Sequence, residues 1–155
     1  LEALAAVAGE MPVVIPLHPR TRRNADAFGL GALLERLTVL DPLSYREMLS
    51  LTQGAAVVLT DSGGLQEETT VLGIPCVTLR EQTERPVTIS HGTNRLAPWP
   101  LTTDGVLESF RRARKSGHAA GEVVVEGWDG RAAERVVSAL AEAAAAEPAL
   151  QEVSG

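Results

Sequence analysis

The chain has 155 residues, of which 45% are hydrophobic and 22% are charged, a composition typical of one globular domain of ordinary size. Aromatic residues make up only 3% and the net charge is -6, so neither nucleic acid nor an anionic membrane surface is expected as a partner. A single cysteine excludes an intrachain disulfide and a cysteine-based zinc site, and without a signal sequence or a membrane-spanning apolar stretch we expect a cytoplasmic protein.

Helical and extended patterns alternate along the first third of the chain. The sequence starts without an initiator methionine and already in helical rhythm, which indicates a piece of a longer protein. A short strand over residues 13–15 leads into a His-Pro turn, a helix of uncertain extent covers residues 21–34, and a second strand covers residues 37–40. Ser44 and Glu47 then have the spacing of a capping box, which predicts the start of another helix.

The same alternation continues through the rest of the chain. Further strands and helices are predicted, in chain order, over residues 56–60, 63–72, 76–79, 106–115 and 131–146. A turn is expected at residues 91–94. Strands that alternate with helices through short connections predict an α/β fold, a Rossmann-like parallel sheet with helices on both faces. We assign residues 1–147 to this one domain and residues 148–155 to a frayed tail.

The segment Thr60 to Glu68 carries the clearest indication of function. Gly63 and Gly64 follow an apolar strand and open a helix, so they let the chain turn sharply and let a ligand approach the free N–H groups of the helix start. Those N–H groups and the positive end of the helix dipole favour an anion such as a phosphate. Glu68, about one turn further on, can accept hydrogen bonds from sugar hydroxyls. The alternative is structural: Ser62 caps the helix and the glycines only turn the chain.

Other candidate residues follow the predicted strands. In an open parallel sheet, ligands bind beyond the carboxyl ends of the strands, where His18, Leu43 and the loop that ends at Arg85 should all lie. Arg85 can meet a phosphate with two parallel hydrogen bonds, or it can form a surface ion pair with Glu81 or Glu84.

Two further side chains, those of His18 and Glu67, and the question of a metal site remain to be considered. His18 serves a ligand or is a turn residue bonded to a nearby carbonyl. Glu67 is expected on the helix surface or facing a partner, and Glu68 towards the ligand, because adjacent residues point to different faces. No clustered pattern of histidines and carboxylates indicates a metal site.

Several of these segments together resemble the non-hydrolysing UDP-N-acetylglucosamine 2-epimerases. The resembling motifs are Thr60 to Glu68, Leu72 to Pro75, Arg80 to Pro86, Gly92 to Asn94 and the turn at His18 and Pro19. The family's Gly-Asp-Gly-x-Ala turn corresponds to Trp128 to Ala132, with Trp128 in place of the first glycine. The match covers most of the chain, in order and with compatible spacing.

The resemblance implies that this chain is the C-terminal half of a GT-B fold, in which two Rossmann-like domains face each other across a cleft. The family interconverts UDP-N-acetylglucosamine and UDP-N-acetylmannosamine by eliminating UDP and adding it back, and it needs no cofactor. Its acid/base carboxylates lie in the N-terminal domain, which is missing here. We therefore expect an isomerase of bacterial polysaccharide biosynthesis, homodimeric when full length, whose fragment here is inactive alone and holds no catalytic residue.

The resemblance also implies which residues contact UDP and the UDP-N-acetylhexosamine substrate. It assigns the diphosphate to Ser62, Gly63 and Gly64, the ribose hydroxyls to Glu68, support of the nucleotide to Arg85, and the uracil to Leu43 and Met48. Some family members have a glutamine and an aromatic residue at the last two positions, so the mode of base recognition stays open. His18 corresponds to a family histidine near an allosteric substrate molecule in some bacterial members.

Three other functions stay open. The donor domain of a GT-B glycosyltransferase also binds UDP-sugars through a glycine turn and a glutamate, although the loop at residues 83–86 favours the epimerase. A hydrolysing epimerase is disfavoured, because that family has a Ser-rich turn where this chain has residues 61–64. The third alternative is a non-catalytic nucleotide-binding or regulatory module that naturally lacks a second half.

Overall fold

The computed structural model of the protein describes residues 1–119 and 125–146. Its contacts separate into two compact units, Leu1–Val123 and Val124–Gly155. The described part of the first unit contains five strands and seven helices, and that of the second contains one helix. The predicted tail at residues 148–155 lies outside the described residues, and the assignment of residues 1–147 to a single domain stays a prediction.

Helices and strands alternate along the first unit. In chain order they are α1 Glu2–Ala8, β1 Val14–Pro16, α2 Pro19–Ala27, α3 Gly31–Leu34, β2 Thr38–Leu40, α4 Tyr45–Gln53, β3 Val58–Thr60, α5 Gly63–Val71, β4 Cys76–Thr78, α6 Val87–Ser90, β5 Asn94–Leu96 and α7 Thr103–Ser116. Every strand pairing among the described residues is parallel. β1 pairs with β2, and β3, β4 and β5 pair in that order. The predicted α/β, Rossmann-like architecture is confirmed.

The helix predicted over residues 21–34 is two helices. Pro19 occupies the first turn of α2, where its missing N–H costs nothing because that N–H would have no partner within the helix. α2 ends before Gly29, whose φ of 69° lies in the left-handed region that glycine enters without steric penalty. The chain then resumes as the short helix α3 at Gly31.

β5 lies partly where the sequence predicted a turn. The turn expected at residues 91–94 ends in a strand that begins at Asn94 and pairs with β4, Cys76 opposite Asn94 and Thr78 opposite Leu96. Asn, Arg and Leu have little preference for extended structure by themselves. The strand therefore results from pairing with β4 and not from local propensity.

The core of the first unit lies around β4, whose three side chains are fully buried. Val77 packs in one cluster with Ala97, Val106 and Ala113, so α7 covers this strand. Cys76 in this strand is a buried free thiol. Its burial raises the pKa of the thiol to about 11. None of the helices within residues 1–119 and 125–146 has the length and apolarity needed to cross a bilayer.

The second unit begins its helix, α8 Ala132–Ala146, at a charged turn. The Asp129 carboxylate accepts hydrogen bonds from the Arg131 N–H at 3.0 Å and from Arg135 Nη1 at 2.9 and 3.0 Å. These contacts hold the pKa of Asp129 below its ordinary value, and the hydrogen bond from the Arg131 N–H has the largest effect. Asp129 thus places a negative charge before the first turn of α8, where the helix dipole favours it.

Candidate functional site

The strand-turn-helix unit predicted around Thr60 to Glu68 is present. β3 ends at Thr60 and α5 begins at Gly63, with Ser62 in the extended backbone conformation of an N-cap residue. The Ser62 N–H donates to Thr60 Oγ1 at 3.0 Å, which fixes the turn. The Ser62 hydroxyl makes no capping hydrogen bond, so the interpretation of this side chain as the helix cap is wrong. The hydroxyl therefore does not satisfy the first N–H groups of α5.

Gly63 and Gly64 leave room for a ligand at the helix start, and the backbone conformation there does not require glycine. Neither has a positive φ, so the expectation that glycine is needed here for a sharp turn is wrong. A Cβ atom at Gly64 would find its nearest neighbour, Ser62 Oγ, only at 3.9 Å, and the corresponding distance at Gly63 is also 3.9 Å. A side chain would fit against the protein at both positions, so what the glycines leave open is the surface over the helix N-terminus.

Arg85 lies beside this helix start, as its predicted role requires. The Cγ and Nε atoms of Arg85 are the nearest neighbours of a Cβ built at Gly63. Because the guanidinium is positively charged, it adds to the positive end of the α5 dipole at the same place. The loop after β4 and the first turn of α5 therefore bring a guanidinium and the N–H groups of a helix start together, a combination that can bind an anion.

The ion pair of Arg85 differs from the alternative considered for it. Arg85 Nε lies 2.8 Å from Glu67 Oε1, although the N–H is not directed at that oxygen as in a hydrogen bond. Glu84 contacts Arg80 instead, at 3.6 Å. The expected pair of Arg85 with Glu81 or Glu84 is thus incorrect, whereas Glu67 lies on the helix surface as expected, with its side chain 40% exposed. Both side chains of the actual pair are about two-fifths exposed, at 42% and 40%, so a ligand can reach the guanidinium.

A buried polar network supports the Arg85 loop, and sequence reasoning missed it. The network consists of Gln66 on α5, Thr78 on β4, Thr83 in the loop, Thr88 on α6 and Asn94 on β5. Its centre is Asn94, which is only 3% exposed and bonds Gln66, Thr78 and Thr88. The signal in the sequence was the polar character of the inner face of α5, where Gln66, Thr69 and Thr70 are all buried.

Leu43 and Met48 flank the start of α4, where the predicted capping box is confirmed. Ser44 donates to Glu47 Oε2 from its N–H at 2.8 Å and from its hydroxyl at 2.6 Å. Both bonds lower the pKa of Glu47, and the bond from the Ser44 hydroxyl has the larger effect. Leu43 and Met48 are half-buried. Their contact with a base stays a prediction.

His18 and Glu68 complete the set of predicted residues. His18 is the N-cap of α2, where its Nδ1 atom accepts a hydrogen bond from the Arg20 N–H at 3.2 Å. It is thus a turn residue, but it bonds an amide and not the carbonyl expected. Glu68 is half-buried on α5. An effector contact for His18 and a ribose contact for Glu68 stay predictions. Residues 1–119 and 125–146 bring no three His, Cys, Asp or Glu side chains together in a geometry suited to a metal.

Known proteins match this chain over most of its length. The family model described as UDP-N-acetylglucosamine 2-epimerase matches residues 1–141. A UDP-N-acetylglucosamine 2-epimerase of Methanococcus maripaludis is 46% identical over 91 residues, which are 57% of this chain and 25% of that protein. A UDP-2,3-diacetamido-2,3-dideoxy-D-glucuronate 2-epimerase of Pseudomonas aeruginosa is 45% identical over 100 residues, which are 64% of this chain and 27% of that protein.

Solved structures match the fold as well. The UDP-GlcNAc 2-epimerase of Methanocaldococcus jannaschii, in complex with UDP-GlcNAc and UDP, superposes with a TM-score of 0.72 and 29% sequence identity. The match covers 91% of this chain and 41% of that one. The chain thus spans about a quarter of the length of the curated relatives and about two-fifths of the solved structure.

Proposed function

Because this chain belongs to the UDP-N-acetylglucosamine 2-epimerase family, we propose that it is the UDP-binding half of such an epimerase. The observation that carries the proposal is the position of Arg85 beside Gly63, at the open N-terminus of α5. A helix N-terminus with an arginine beside it is suited to a diphosphate, since both present positive charge and N–H donors.

The proposed contacts divide the nucleotide among four parts of the chain. Ser62 binds the diphosphate through its hydroxyl, Gly63 and Gly64 bind it through their backbone N–H groups, and Arg85 adds its charge. Glu68, further along α5, accepts hydrogen bonds from the ribose hydroxyls. The uracil packs on Leu43 and Met48, and His18 contacts an effector molecule at a separate site.

The reaction proposed for the full-length enzyme is elimination of UDP from UDP-N-acetylglucosamine, followed by re-addition that yields UDP-N-acetylmannosamine. Negative charge develops on the diphosphate as the bond to the sugar breaks. Fixed N–H groups and the Arg85 guanidinium stabilise this charge more in the transition state than in the ground state, because it is larger there. The part of the enzyme described here thus holds the leaving group.

The sugar itself is the less constrained part of the proposal. The relatives from Methanococcus and Pseudomonas share the UDP group and 2-epimerisation in their names, whereas their sugars differ. The motif residues of this chain are assigned to the diphosphate, the ribose and the uracil, and none of them to the sugar that is epimerised. UDP-N-acetylglucosamine is therefore the proposed substrate, and a UDP-diacetamido-glucuronate is the second candidate.

The remaining functional assignments concern the full-length enzyme. We place the acid/base groups that act at the sugar C2 in an N-terminal domain outside these 155 residues, so this chain alone should bind UDP without epimerising the sugar. The enzyme would work as a homodimer in the cytoplasm and serve bacterial polysaccharide biosynthesis.

Calorimetric titration of this chain with UDP tests the assignment of the site. Arg85→Ala and Glu68→Ala should each weaken binding, by about tenfold or more for the arginine, because a hydrogen bond to a charged group is lost. Arg112→Ala and Glu108→Ala, which break an exposed ion pair on α7, are matched controls and should bind UDP as the unmodified chain does. Absence of binding, or equal binding by all four variants, would refute the site.

Solvent isotope incorporation tests the reaction in the full-length enzyme. Elimination and re-addition remove and restore the proton at the sugar C2, so turnover in deuterium oxide should place deuterium at that carbon. Product that carries only hydrogen at C2 would exclude the elimination mechanism while leaving UDP binding intact.

A further inference from the structure

One hydroxyl group connects the two halves of the proposed phosphate site. Thr83 Oγ1 donates a hydrogen bond to Gln66 Oε1 at 2.5 Å and accepts one from the Arg85 backbone N–H at 2.9 Å. Gln66 lies one residue before Glu67 on α5, the helix that begins at Gly63. The Thr83 hydroxyl therefore ties the backbone of Arg85 to the helix whose first turn Arg85 covers.

The acceptor of this bond is itself fixed. Gln66 Oε1 also accepts from Asn94 Nδ2 at 3.2 Å, and Asn94 Oδ1 accepts from Thr78 Oγ1 at 2.8 Å in the fully buried strand β4. Because Gln66 is only 1% exposed, moving its Oε1 atom away from these two donors would leave desolvated polar groups unpaired. Gln66 is thus a rigid anchor for Thr83.

The far side of Arg85 is held too. Its carbonyl oxygen accepts from Thr88 Oγ1 at 2.7 Å, and Thr88 Oγ1 in turn accepts from Asn94 Nδ2 at 3.0 Å. The backbone of Arg85 is therefore fixed through both its N–H and its carbonyl to the same buried network. Only the guanidinium end remains partly exposed and able to meet a ligand.

We propose that Thr83 is a positioning residue for Arg85 in diphosphate binding, an inference that rests on the proposed function. The side chain of Thr83 need not touch the nucleotide. Its hydroxyl removes the freedom of the loop before the ligand arrives, so binding does not have to supply the cost of ordering Arg85. Loss of the hydroxyl should then weaken UDP binding through Arg85 alone.

Two matched pairs of side chains isolate the hydroxyl. Thr and Val have nearly the same shape, and Ser and Ala differ by one oxygen, so Thr83→Val, Thr83→Ser and Thr83→Ala separate the hydroxyl from packing. Calorimetry with UDP should show about fivefold weaker binding for the Val and Ala variants, the equivalent of one hydrogen bond. Thr83→Ser should bind within about twofold of the unmodified chain, because it keeps both hydrogen bonds. Circular dichroism identifies any variant that does not fold, and the Ala and Ser pair replaces Val in that case.

The Arg85→Ala background distinguishes positioning from general weakening. If Thr83 acts through Arg85, Thr83→Val and Thr83→Ala should have no further effect on UDP affinity once Arg85 is gone. Equal losses in both backgrounds, or Val and Ala variants that bind as tightly as Ser, would overturn the inference. Failure of the unmodified chain to bind UDP, or an Arg85→Ala variant that binds normally, would instead overturn the proposed function.

Discussion

The side chain of Arg85 lies over Gly63, with its Cγ and Nε atoms each 3.9 Å from where a Cβ atom of that glycine would be. This contact joins the loop after β4 to the first turn of α5. It brings a guanidinium to the positive end of a helix, which lowers the energy of a bound anion, while the Glu67 carboxylate 2.8 Å from Arg85 Nε offsets this charge in the unliganded chain.

Gly64→Ala should separate ligand access from folding. The nearest atom to the new methyl group would be Ser62 Oγ at 3.9 Å, and alanine is favoured over glycine in a helix, so the free energy of unfolding should stay equal or rise by up to about 1 kcal/mol. UDP affinity should fall, because the methyl group occupies the space into which the diphosphate moves. Urea denaturation and calorimetry measure the two effects.

Gly31→Ala is the matched control for that experiment. Gly31 also opens a helix, and a Cβ atom there would meet nothing within 4 Å. This variant should gain similar stability and bind UDP normally. An unchanged UDP affinity in Gly64→Ala would argue against close approach of a ligand at α5.

Gly92→Ala should strongly destabilise the fold. A Cβ atom at Gly92 would lie 2.5 Å from Thr70 Oγ1 and closer still to the Thr88 carbonyl oxygen. Because backbone must move to accommodate it, the free energy of unfolding should fall by at least about 2 kcal/mol. Gly54→Ala, whose nearest contact would be at 3.8 Å, should unfold in urea near the unmodified midpoint. Similar midpoints for both variants would mean that the packing around Gly92 is looser than described.

Ser44→Ala should weaken the start of α4. The change removes the hydroxyl of a complete capping box, so we expect a loss of about 1 kcal/mol in the free energy of unfolding. Ser50→Ala, on the exposed side of the same helix, should be neutral or slightly stabilising because alanine is the better helix former. Chemical denaturation of both variants checks the difference, and a Ser44→Ala variant as stable as Ser50→Ala would exclude the cap as a stabilising element.

Local features of the chain were predictable from the sequence. The capping box at Ser44 and Glu47 and the helix that opens at Gly63 depend on residues within one turn of each other, and the structure confirms both. The alternation of strands and helices was enough to predict the parallel α/β fold. The split of the helix at Gly29 was less predictable, because a glycine in a helical pattern does not by itself determine its φ.

Contacts between distant residues were not predictable in the same way. Gln66 and Asn94 are 28 positions apart, and their bond exists only because β5 pairs with β4. The choice of Glu67 as the partner of Arg85 depends on how the loop folds back onto α5, whereas spacing alone favoured the nearer Glu81 and Glu84. Sequence could thus place Arg85 at the correct edge of the sheet but not identify what holds it there.

Cys76 should make the fold less stable in alkali. Burial raises its pKa from an ordinary value near 9 to about 11, so the folded chain keeps a proton that the unfolded chain releases between these pH values. The free energy of unfolding should therefore decline as the pH rises through this window, by up to about 3 kcal/mol for a two-unit shift. Cys76→Ala should lack this part of the decline. Denaturation curves from pH 8 to 11 that run parallel for the two proteins would contradict the thiol's contribution.

Binding of UDP at the first turn of α5 is tested most directly by nuclear magnetic resonance titration of the isotope-labelled chain. The amide signals of Gly63 and Gly64 should shift saturably with UDP, with smaller shifts at Arg85, because these N–H groups are the proposed donors to the diphosphate. The shifts should be much reduced in Arg85→Ala. Saturable shifts confined to other parts of the chain, or no shifts at Gly63 and Gly64, would contradict the proposed site.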